Sequence, residues 1–172
     1  MSRDISAAPL PAQPGARLCP VARPLRSDAQ RNRDRLVAVA TRAFSAGKAE
    51  VTLDSVAREA GVGIGTLYRH FPTREALVEA AYRSEVARLC DAAAELLSGL
   101  PADQATREWM NRFVDYMTTK RGMADALRAV IASGGDPFAQ SRDRMTAAIT
   151  ELLGAGAAAG TMRSDIEPGD VL

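Results

Sequence analysis

The chain has 172 residues, 47% of them hydrophobic, and its 22 Lys+Arg residues nearly balance 21 Asp+Glu, for a formal net charge of +1. That is enough apolar material for one or two small domains with a core. The charge balance excludes any global electrostatic argument for nucleic acid, so such an argument must rest on where single cations stand. Cys19 and Cys90 lie far apart and form no CxxC pair, which leaves disulfide and metal readings weak and fits a reduced, cytoplasmic setting. With no run of about 18 apolar residues, and no charged start leading into an apolar stretch, neither a transmembrane helix nor a signal peptide is expected.

Residues 1–27 hold five of the nine prolines and four arginines against one aspartate. So little large apolar surface cannot offset ordering entropy, which predicts a disordered basic arm. Such an arm either touches DNA phosphates or stays solvated. From Asp28 the pattern changes. Leu36, Ala40 and Phe44 form one helical stripe, surrounded by Arg31, Arg33, Arg35 and Arg42, with Gly47 placed to stop the helix. Thr52 is a good N-cap for a second helix, which would bury Leu53, Val56, Ala57 and Ala60 and end at Gly61. Pro72-Thr73 closes the following segment, and Thr73 can cap a long helix over about 74–97 with Leu77, Ala81, Val86 and Leu89 near one face. Further helices are predicted over about 102–119, 122–133 and 138–159, separated by Ser98-Gly99, Pro101 and the Gly134–Pro137 break. The alanine content and the lack of alternating β-branched runs make the chain all-α, with no internal repeat.

Two short helices joined by a tight glycine turn are the mark of a helix-turn-helix. The first, about 52–60, would lie across a DNA backbone, and the second, about 64–71, would enter the major groove. Gly61 can take the positive φ that closes the turn, Val62 plugs the gap between the helices, and Ala57 is small enough to let them approach. Leu67 points into the core, which leaves Thr66, Tyr68, Arg69 and His70 on or near the outer face. Arg69 suits a guanine edge or a phosphate.

The stretch VTLDSVAREAGVGIGTLYRHFPTREAL, from Val51 to Leu77, resembles the DNA-binding region of TetR-family transcriptional regulators. The resemblance runs from about 35 to 81 and includes Leu36, Ala40, Phe44, Gly47, Ala60, Gly61, Val62, Leu67 and Phe71. The rest of the chain is similar to the family's variable ligand-binding half more loosely, mainly in helix count and the closing GTMRSDIEPGDVL. The resemblance implies a three-helix DNA-binding domain at 28–73 and a helical effector-binding and dimerisation domain at 74–172. It implies a homodimer on a palindromic operator, normally a repressor, released by a small molecule, in a bacterial cytoplasm and on the nucleoid when DNA-bound. Thr52, Thr66, Tyr68 and His70 match positions that contact phosphate or base, and Arg74 stands where a lysine is usual. Gly63, Ile64, Gly65 and Arg69 occupy the variable face that sets sequence choice. The glycines offer backbone approach, and Ile64 offers contact with a thymine methyl.

Plainer roles stand beside each of these. Tyr68 taken alone is as well read as a core tyrosine, His70 as a structural histidine, and Arg31, Arg33 and Arg35 as a solvated face. Arg74 can be a solvated charge, although a helix start is a poor place for a cation. In the second half Trp109, Phe113, Tyr116, Met117, Ile131, Phe138, Met145 and Ile149 can line an effector pocket or simply fill the core. Glu108, Arg112, Asp115, Arg128 and Arg142 can orient a polar ligand or stay solvated. No GxSxG elbow, P-loop, HExxH or CxxC pair is present, so no enzyme, metal or cofactor is expected. Pro168 reads as the first-turn proline of a further helix, and the two closing helices usual in the family are expected beyond Leu172, unless the protein dimerises otherwise. Two other classes stay open: a helical small-molecule- or partner-binding protein without specific DNA binding, and a DNA binder of low sequence preference that needs no ligand.

Overall fold

The computed structural model describes residues 25–46 and 51–171, all helix, turn or irregular chain. Of the arm predicted at 1–27, residues 1–24 lie outside the described residues, as does the stop at Gly47, while 25–27 belong to the first helix. Among the described residues seven α-helices follow in order: α1 Leu25–Ser45, α2 Leu53–Glu59, α3 Ile64–His70, α4 Arg74–Gly99, α5 Ala102–Gly122, α6 Ala124–Ala132 and α7 Ser141–Ala158, then a 3-10 turn over Pro168–Asp170.

The predicted stripe of α1 is buried at Leu36, Ala40 and Phe44, and Val37 and Val39 join it because α1 is covered on more than one side. It packs on α2, α3, α4 and α5. Helix α2 starts where its cap predicts, with Thr52 Oγ1 accepting the Ser55 N–H at 3.2 Å. Its last turn passes into Gly61 at φ +64°, and the Val62 N–H then bonds back to the Ala57 carbonyl at 2.9 Å. That positive φ is the conformation only glycine adopts freely. Thr73 caps α4 in the same way, accepting from the Ala76 N–H at 3.1 Å.

Helix α4 is the axis of the molecule and packs against α1, α5, α6 and α7. The predicted face, Leu77, Ala81, Val86 and Leu89, is buried. A single apolar cluster runs unbroken from Leu36 in α1 to Leu152 in α7, so packing continues across the division at 73–74. Where α1 ends against the end of α5 the two backbones touch: a Cβ on Gly122 would stand 1.9 Å from the Ser45 carbonyl oxygen.

Several boundaries differ from the sequence reading, and α4 runs on through Ser98 and Gly99, which were expected to break it. Helix α1 begins at Leu25, a turn before Asp28, and α5 runs on through Gly122, leaving Met123 as the corner before α6. Helix α7 begins at Ser141 instead of 138 because the chain turns first. The Asp136 carboxylate accepts the Phe138 N–H at 3.0 Å, and Gln140 sits at φ +62°, a backbone that cannot continue a right-handed helix. Phe138 therefore stands on a turn. Pro168 opens only a 3-10 turn within the described residues.

Candidate nucleic-acid interface

Helix α3 has seven residues and one fully buried anchor, Leu67. With Leu67 fixed inward, helical spacing turns Ile64 and Tyr68 outward, and they are 40% and 50% exposed. Tyr68 is thus no core tyrosine. Gly63, Gly65 and Arg69 are exposed beside them, while Thr66 and His70 are half-buried at the edge toward α1. The two glycines are not required by the fold. Gly63 has φ −63°, Gly65 lies inside α3, and a Cβ at either position would meet nothing within 4 Å.

The polar groups of this face make mostly local contacts. Arg69 folds back along its own helix, its Nε donating to the Gly65 carbonyl at 3.2 Å and its Nη2 to Thr66 Oγ1 at 2.9 Å. Arg74 turns inward: its Nε reaches the Val51 carbonyl at 3.4 Å, and its guanidinium lies 4.8 Å from the centre of the Phe44 ring. Arg33 lies over Phe71 at 5.4 Å. Arg31 is paired with Asp28, and Arg35 donates to Asn32 Oδ1 at 2.5 Å. Thr52 keeps its hydroxyl on the α2 cap. Asp28 and Asn32 of α1 share a surface hollow with Thr66, Arg69 and His70. The sequence reading did not single them out, although their four-residue spacing places them on one face of α1.

The structure splits the eight residues proposed for an effector pocket. Trp109, Tyr116, Met145 and Ile149 are buried in the core. Trp109 donates Nε1–H to the Leu89 carbonyl at 2.8 Å and stacks on Phe113, which is partly buried. Tyr116 bonds the hydroxyl of Tyr82 at 2.8 Å. Burial, then the Tyr82 partner, holds the Tyr116 phenol far above its ordinary pKa, so it stays neutral. Tyr116 also borders a polar cleft of about 230 Å³ with Glu85, Arg88, Arg112 and Asp115. Met117, Ile131 and Phe138 instead line an apolar hollow of about 360 Å³ with Leu127, Lys120 and Arg121. Arg128, singled out in the sequence, is on the lining as well; Lys120 and Arg121 were missed, although they follow Met117 by three and four residues on one face of α5. Among the described residues no group of three or more His, Cys, Asp or Glu side chains stands where a metal could be held. No described helix is long and apolar enough to cross a membrane.

Residues 36–81 match the family model described as bacterial regulatory proteins, tetR family. Residues 101–172 match the one described as transcriptional regulator SbtR-like, C-terminal domain. The crystal structure of a TetR transcriptional regulator from Streptomyces coelicolor is 59% identical, covers 80% of this chain and 79% of its own, and superposes with a TM-score of 0.76. The chain belongs to the TetR family of transcriptional regulators. A TetR transcription regulatory protein from Mycobacterium vanbaalenii superposes with a TM-score of 0.77 at 38% identity, over 86% of this chain and 89% of its own. Similarity to a curated HTH-type transcriptional regulator of Staphylococcus aureus (strain USA300) is confined to 54 residues at 39% identity, 31% of this chain and 29% of that protein. In TetR terms α2 and α3 are the helix-turn-helix. Of the second half, only loosely similar by sequence pattern, residues 101–172 are matched by the C-terminal model.

Proposed function

We propose that this TetR-family regulator works as a homodimer on a palindromic DNA operator, as a repressor that a small molecule releases. Residues 28–73 form its DNA-binding unit and 74–172 its effector-binding and dimerisation unit, acting in the cytoplasm. One observation carries the reading: α3 presents Ile64 and Tyr68 to solvent beside Gly63 and Gly65, where a Cβ would have open space. Exposed apolar bulk beside bare backbone suits a surface that another backbone approaches. In this reading Gly63 and Gly65 admit the groove wall, and Ile64 meets a thymine methyl. Arg69 leaves Thr66 for a guanine or phosphate. Thr52, Thr66, Tyr68 and His70 hold phosphates, joined by the Nη groups of Arg74. Release works through α4, which packs on α1 of the DNA-binding unit, reaches Val51 at the entry to α2 through Arg74, and touches α5, α6 and α7 along its length. A ligand shifts its tilt only by binding the two states with different affinity.

The folding of Arg69 back along α3 and the inward turn of Arg74 favour a second reading, a helical small-molecule- or partner-binding protein without specific DNA binding. Fluorescence anisotropy over a salt series separates the two, with DNA from upstream of the protein's own gene as probe and scrambled DNA as competitor. Binding that survives the competitor and falls steeply with salt supports the regulator. Equal affinity for scrambled DNA removes the operator, and no binding to either leaves the second reading.

A further inference from the structure

Around the corner at Met123, α5 and α6 enclose the apolar hollow of about 360 Å³, within the ~300–1,000 Å³ usual for small-molecule sites. Met117, Ile131 and Phe138 on its wall are 42%, 50% and 39% exposed. Large apolar side chains clustered in the open mark a binding surface. Three cations complete the lining, Lys120, Arg121 and Arg128. Lys120 Nζ lies 5.1 Å from the centre of the Phe138 ring. Among the described residues neither Lys120 nor Arg121 has a carboxylate within the 4.0 Å of an ion pair, whereas Arg128, also on the lining, is paired with Asp125. The hollow thus joins an apolar floor to an unbalanced positive rim. In the polar cleft beside Tyr116, by contrast, two arginines stand with two carboxylates.

We propose that this hollow binds a lipophilic carboxylate, an alkyl or aryl body with one anionic head, as the effector; the effector role rests on the regulator reading above. The body lies on Met117, Leu127 and Ile131, and the head takes Lys120 and Arg121. A cation held over a ring face is available to a full negative charge, which attracts it more strongly. A second copy of the chain is a poorer occupant, because a two-fold axis through the hollow would set these cations against their own images. The hollow is also coupled to α4. Phe138 meets Tyr82 of α4 edge-on, with ring centres 5.3 Å apart at 90°, and Tyr82 is bonded to Tyr116 of α5. A body that displaces Phe138 therefore presses on the helix that begins at Arg74.

Titration calorimetry on the full chain tests this without DNA. Decanoate and naphthoate probe alkyl and aryl sources, with decanol and decylammonium as neutral and cationic controls below their micelle concentrations. Either carboxylate binding supports the site, with decanol about tenfold weaker or more and decylammonium giving no heat. Lys120→Met with Arg121→Met keeps the apolar stems and should abolish the preference for decanoate over decanol. Ile131→Asp, at an exposed position, should abolish binding while circular dichroism stays unchanged. The proposal is overturned if neither carboxylate binds, if decanol binds as tightly, or if Ile131→Asp leaves decanoate binding intact. It is equally overturned if sedimentation shows Ile131→Asp splitting a dimer. Decanoate binding by a chain that ignores operator DNA would keep the site and sink the regulator reading. Specific DNA binding with no carboxylate heat would do the reverse.

Discussion

Arg74 lays its guanidinium over Phe44, 4.8 Å from the ring centre, and so ties the first residue of α4 to the last turn of α1. The same side chain reaches the Val51 carbonyl at the entry to α2. One residue thereby connects the long axial helix to two of the three helices of the DNA-binding unit. Arg74→Ala should lower stability by about 1 kcal/mol through the lost ring contact and hydrogen bond. Arg74→Lys should recover part of that, since it keeps a cation but not the planar donor. Chemical denaturation of the three proteins measures it, and a variant as stable as the parent would show that the ring contact contributes nothing.

Gly65→Ala separates folding from binding. Alanine in a helix interior is favoured over glycine by about 1 kcal/mol, and its Cβ has open space. The variant should melt no lower than the parent and bind the operator about tenfold more weakly, since a methyl now stands where the groove wall approaches. Retained affinity would mean that the glycine is incidental. Arg69→Ala, by comparison, should reduce the salt dependence of binding by about one phosphate contact.

The buried hydroxyls of Tyr82 and Tyr116 satisfy each other at 2.8 Å. Tyr116→Phe leaves the Tyr82 hydroxyl without that partner and should cost about 1–3 kcal/mol. The double change to phenylalanine should cost less than the sum of the two single ones. A double-mutant cycle by urea unfolding reads the coupling, and strict additivity would show that the two hydroxyls act independently.

Cys90 is half-buried, and desolvation raises its thiol pKa more than the nearby Arg144 lowers it. Alkylation of a Cys19→Ser protein by iodoacetamide should therefore be slow at neutral pH and climb only above the usual thiol range. Because the neutral thiol is the form the fold prefers, its contribution to stability is complete below the unfolded thiol's pKa. It is lost as pH rises through the higher folded value. Fast labelling at neutral pH would contradict the burial.

Much of the helix-turn-helix was legible because its chemistry is local. Thr52 and Thr73 cap the helices they precede, and Gly61 takes the left-handed turn, each decided by a few neighbouring backbone groups. The start of α7 was not legible. Asp136 and Gln140 bend the chain away from the helix that the periodicity of 138–159 suggests. The fates of the arginines were hidden for another reason: a long side chain takes the nearest acceptor or ring in three dimensions, as Arg74 does with Phe44, 30 residues away. In the second half the apolar positions were found, but not which of them face inward. Trp109, Met145 and Ile149 went to the core while Met117 and Ile131 stayed outside, because packing partners decide that and periodicity does not.

The contact of Ser45 with Gly122 bears on how such proteins can be recombined. The two family models meet this chain as separate blocks, 36–81 and 101–172, which invites grafting one reading head onto another body. A Cβ at position 122 would enter the Ser45 carbonyl at 1.9 Å and has backbone, not a flexible side chain, to displace. Gly122→Ala should cost about 1–3 kcal/mol, as overpacking does, and a chimaera whose body carries any larger residue there should show the same defect in its melting curve. The body must therefore keep a vacancy for the head, and a working graft has to be matched at that one position before anything else is tuned.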